Sequence, residues 1–130
     1  MTSRFIGRLA ATLAVAVGLT APAYAAEVGD VQMCVPLRQI DDSRVIDDKT
    51  IVLRTVVGAP YLRIDLAHEC FGLKMADSFM SATSISQLCK QDILRVVQEP
   101  IGSQCIIDKI VVIDEAEAKA LLASRKKSGP

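Results

Sequence analysis

The chain has 130 residues, 15 Lys+Arg balanced by 15 Asp+Glu, 51% hydrophobic residues, no Trp and four Cys. The even charge excludes a nucleic-acid binder that works by neutralising phosphates. The apolar content excludes a disordered chain, and the length admits one domain.

Residues 1–25 read as a secretory signal peptide. Arg4 and Arg8 make a basic start, residues 9–19 (LAATLAVAVGL) carry no charge, and Pro22 precedes Ala23-Tyr24-Ala25. Small residues three and one before Ala26 predict cleavage near Ala25-Ala26 and a periplasmic or secreted product. An apolar run of this length, at ~1.5 Å per residue, reaches about half of a ~30 Å hydrocarbon core, so no stable membrane span is expected. The cleaved chain keeps all four Cys and loses two arginines, leaving a net charge of −2.

Residues 26–33 read as a linker and residues 34–113 as a β domain. Residues 34–40 (CVPLRQI) form a strand, with Pro36 suited to an edge. Asp41-Asp42-Ser43 and Asp47-Asp48-Lys49 read as turns around Val45-Ile46. Residues 50–57 (TIVLRTVV) are β-branched, and residues 61–66 (YLRIDL) alternate with Leu62, Ile64 and Leu66 on one face. Gly58-Ala59-Pro60 joins these two runs as a hairpin. Residues 67–91 are rich in small polar residues and predict a loop with one short strand or turn of helix. Strands follow at 92–98 and 105–113. Asp114 with Glu117 makes a capping-box arrangement for a helix over 114–124, whose cationic end runs into a flexible basic tail, 125–130.

The fold expected is mainly β: a small disulfide-stapled barrel or rolled antiparallel sheet of five to six strands. A short C-terminal helix would cover a mouth or an edge. An immunoglobulin-type sandwich ranks second because the strands are too few.

Four Cys in an exported chain read as two disulfides. A hairpin turning near residues 101–102 sets Cys89 and Cys105 ~25 Å apart, against a reach of ~7 Å between Cα atoms. That disfavours Cys34–Cys70 with Cys89–Cys105. Of the remaining pairings, Cys34–Cys105 with Cys70–Cys89 is preferred. The first would close a barrel, and the second would pin the irregular section.

The pattern Cys34, Arg38-x-Ile40-Asp41, Asp47-Asp48-x-Thr50-Ile51, Tyr61, Cys70-x-Gly72-Leu73, Leu88-Cys89-x-x-Asp92 and Cys105-Ile106 resembles a family of small exported bacterial proteins of unknown function. The likeness spans residues 34–113 and leaves the C-terminal helix outside. Phe71 stands where the pattern has Pro. The resemblance implies export and a common fold and brings no catalytic residue.

His68 is the sole histidine, and a hydrolase reading makes it a general base oriented by Asp65 or Glu69. No Gly-x-Ser-x-Gly elbow accompanies it, and a Cys70 nucleophile would have to be reduced. The Cys spacings of 36, 19 and 16 residues give no Cys-x-x-Cys for zinc or thiol exchange. Asp41, Asp42, Asp47 and Asp48 lack the alternation that converges oxygens on calcium, so no metal and no cofactor is expected. Three aromatics after residue 25 are too few for a stacking groove. Met75, Phe79 and Met80 form either an adaptable patch or a satellite core, and Arg125-Lys126-Lys127 is a weak cluster for lipid or cell-wall polymer.

The reading is therefore a non-enzymatic binding or structural module of the bacterial envelope. Its partner is an envelope protein or a cell-wall component. The alternatives are a small hydrolase using His68 and an inhibitor of an envelope hydrolase that presents residues 67–87 on a rigid frame.

Overall fold

The computed structural model describes Gly18 and residues 26–83, 85–98 and 102–127; apart from Gly18, the expected leader lies outside them. The chain begins with β1 (Val31–Gln32), β2 (Cys34–Pro36), one 3-10 turn (Leu37–Gln39) and β3 (Ile40–Val45). It continues through β4 (Thr50–Thr55), β5 (Tyr61–Leu66), a one-turn helix α1 (Leu73–Ala76), β6 (Phe79–Ser81) and β7 (Gln87–Cys89). It closes with β8 (Ile93–Val96), β9 (Gln104–Ile113) and α2 (Glu115–Lys127).

Six antiparallel strands run in the order β3-β4-β5-β9-β8-β6 as a curled half-barrel, and β1 adds to β9. Among the described residues β2 and β7 pair only with each other, as a separate ribbon. The expected β class, rolled sheet and terminal helix are what the chain forms.

Alternation builds the core. Leu62, Ile64 and Leu66 of β5 point inward with Ile51 and Leu53 of β4 and Leu94 and Val96 of β8. In β9, Cys105 and Ile107 face this core, and so do Ile110 and Val112, although the two pairs differ in parity. A register shift resolves this: Asp65 pairs with Lys109 and Leu66 with Ile107, so Asp108 is an extra residue that resets the alternation. Ile113 and Val52 face the opposite side of the sheet. There, with Ile46, they bury Ala118 of α2 while Tyr61, Leu121 and Leu122 pack around them. The helix thus covers the outer face, not a mouth or an edge, because that face also carries apolar residues that need a cover.

Several local expectations are corrected. The presumed linker, 26–33, contains β1, anchored by Gly29 N–H to Val112 O and Val112 N–H to Asp30 O, both at 2.8 Å. A two-residue strand shows no alternation to read. The strand expected over 34–40 breaks into β2 and the 3-10 turn after Pro36. Asp41-Asp42-Ser43, expected as a turn, lies in β3, an end strand whose carboxylates remain solvated and ion-paired. Residues 67–91 hold α1, β6 and β7, more structure than expected. The helix extends to Lys127, so the stretch read as a flexible tail begins inside α2.

Candidate functional site

The cysteines close as Cys34–Cys89 and Cys70–Cys105, with Cα separations of 4.0 and 5.7 Å. The preferred pairing, Cys34–Cys105 with Cys70–Cys89, is therefore wrong. It assumed that the opening strand meets the closing one. Instead β2 lies in register with β7, Cys34 directly opposite Cys89. β5 runs antiparallel to β9, so the chain leaving Leu66 passes the start of β9, where Cys105 sits. The Cys89–Cys105 bond that hairpin geometry disfavours is indeed not formed: β8 pairs with β9, and Leu94, not Cys89, lies opposite Cys105.

His68 lies exposed just after β5. Asp65 does not orient it, because both carboxylate oxygens accept hydrogen bonds from the Arg63 guanidinium, at 2.8 and 3.0 Å. Arg63 also donates to Glu117 Oε1 at 2.5 Å and so ties β5 to α2. The hydrogen bonds that Arg63 donates to Asp65 are the main reason its pKa lies above the ordinary value; Glu117 adds to this and burial opposes it. Glu115 raises Lys119 in the same way, one turn along α2.

The four aspartates considered as calcium ligands are used locally. Asp41 pairs with Arg54, and Asp42 pairs with Arg44 at 2.9 Å while accepting from Ser43 N–H. Asp47 caps Lys49 N–H at 2.8 Å in the β3–β4 turn. Asp48 accepts from Lys74 N–H at 2.8 Å through its side chain and from Cys70 N–H at 2.6 Å through its carbonyl. Among the described residues no group of three metal-ligating side chains stands together.

The chemistry that the surface does present is apolar and lies in residues 67–87. Phe71 is 80% exposed and Met75 88%, with Met80 at 60% and Ile85 at 57%. Phe79 instead packs against the core, so the Met75–Phe79–Met80 grouping divides between surface and interior. In the sequence Phe71 stands out only as a departure from Pro in the family pattern; a large aromatic beside a cysteine, outside any alternating run, is the signal for its exposure.

This segment is held at several points. Cys70 is bonded to β9, Asp48 binds the start of α1, β6 pairs with β8, and Asp77 pairs with Arg125 of α2. Left-handed residues at both ends of α1, Gly72 (φ 82°) and Asp77 (φ 51°), turn the chain sharply. A cleft of about 480 Å³ opens elsewhere, at the β4–β5 hairpin, with Val35 and Leu62 at its base and Gln32, Gln39 and Thr55 as polar walls.

Among the described residues, no helix is long and apolar enough to cross a membrane. No curated protein and no solved structure matches the chain. One family model does match, over residues 1–129, so the shared pattern takes in the C-terminal helix that the resemblance above left outside it. The chain belongs to the family of unknown function DUF6491.

Proposed function

We propose that this protein is a non-enzymatic binding module of the bacterial envelope, exported by residues 1–25 and cut near Ala25-Ala26 to act in the periplasm or outside the cell. The observation that carries the reading is the exposure of Phe71 and Met75 on a segment pinned by a disulfide. Large apolar side chains left in water on a rigid support are characteristic of contact surfaces, because the ordering cost of binding is already met. Met adapts to varied partners and Phe supplies area. An exposed apolar segment held at fixed points suits occupation of another protein's cleft, which is how an inhibitor of an envelope hydrolase would work.

The test is a binding titration of the cleaved chain against fractionated envelope proteins. One protein should bind saturably, and the double variant Phe71→Ser/Met75→Ser should lose about tenfold or more in affinity, a change of about 1.4 kcal/mol. Its thermal midpoint should match the parent's, since both side chains are already exposed. Equal binding by the variant, or no saturable partner, would defeat the reading.

A further inference from the structure

We propose that Cys34–Cys89 is a reducible clasp that holds the seam of the half-barrel shut, whereas Cys70–Cys105 is a permanent staple. The two ends of the sheet are β3 and β6, which do not pair with each other. β2 leads into β3 and β7 follows β6, so the β2–β7 ribbon joins one end of the sheet to the other. Cys34 and Cys89 face each other across that ribbon.

The ribbon's own ladder is separate from that of the sheet, although Val35 and Leu88 pack into the common core. Lys90 N–H donates to Met33 O at 2.8 Å and Leu37 N–H to Ser86 O at 3.0 Å, so both ends of the ladder stay within the ribbon. Backbone bonds reach the sheet at the flanks, from Val56 N–H to Gln39 O and from Gln91 N–H to Ile107 O. Gln91, where β7 turns toward β8, holds a left-handed φ of 74°. Beneath the ribbon lies a groove of about 220 Å³ with walls from both ends of the sheet, Ile40 and Ser43 on one side and Phe79 and Ser81 on the other. Leu37 and Leu88 of the ribbon region cap it.

The two disulfides differ in access. Cys34 and Cys89 are half-buried, whereas Cys70 and Cys105 are each only 1% exposed and belong to the central core. Exchange needs a thiolate to reach a sulfur, so an external dithiol meets Cys34–Cys89 first. One thiolate of the dithiol bonds to one sulfur of the pair and displaces the other. The second thiolate then breaks that mixed disulfide. Two electrons pass to Cys34 and Cys89, the dithiol closes to its own disulfide, and its two protons end on the freed thiols. Without the covalent tie, β2 and β7 are joined by the three-pair ladder with its two flanking backbone bonds and by the packing of Val35 and Leu88 in the core, and the seam can part over the groove.

The test is a dithiothreitol titration of the folded chain, followed by alkylation, peptide mapping and amide hydrogen exchange. Cys34 and Cys89 should take the label while Cys70 and Cys105 take none. Exchange protection should then be lost over 34–37 and 86–90 and kept over β4, β5 and β9. The variant Cys34→Ser/Cys89→Ser should show the same confined loss without reductant. Reduction of all four cysteines together, resistance of Cys34–Cys89 while the fold persists, retained ribbon protection after reduction, or unfolding of the variant throughout would each overturn the proposal.

Discussion

At Gly102 a Cβ would overlap the carbonyl oxygen of Val96, the last residue of β8, so the chain returning into β9 passes where no side chain fits. Gly102→Ala should therefore cost about 1–3 kcal/mol, read as a lowered urea midpoint with an unchanged slope. The contact is with backbone, which cannot rotate aside. The glycine was legible as part of a connection; its closeness to Val96 was not, since that depends on how β8 and β9 meet. Asp65 teaches the same lesson. Its position three residues before His68 suggested a pair, yet on a strand its side chain points across to Arg63, two residues away on the same face.

Within α2, Asp114 Oδ1 accepts from Glu117 N–H at 2.7 Å, the N-cap that the residue pattern predicts. The Glu117 carboxylate turns to Arg63 instead of back toward the cap, so the reciprocal half of a capping box is replaced by a tie to the sheet. Asp114→Ala should lower stability by about 1 kcal/mol, and Asp114→Asn should restore most of it, both measured by denaturant unfolding. The β4–β5 hairpin was equally readable, because both strands have strong β character and Gly58 (φ 81°) lies between them. β3 was not, because aspartates that signal a turn can also sit on an end strand, where water and Arg44 or Arg54 satisfy them.

For the molecule as a whole, the buried Cys70–Cys105 bond fastens the segment that carries Phe71 to the central strand β9. Replacing both with Ser should destabilise the fold by about 4 kcal/mol on the loop-entropy relation for a separation of 35 residues. Calorimetry in the absence of reductant measures this, and a loss much below about 2 kcal/mol would mean that the bond adds little to the surrounding packing.

The amino-acid order alone determined the β class, the principal hairpin and the start of the last helix. Each follows from a period of two, a turn dipeptide or a cap, signals that reside within a few neighbouring residues. Which cysteines meet, which face α2 covers and which apolar residues stay in water were decided by tertiary pairing. β2 finds β7 across 55 residues, and an extra residue at Asp108 changes which side of β9 faces inward. Those outcomes depend on strand partners far apart in the chain, and no local pattern encodes such a partnership.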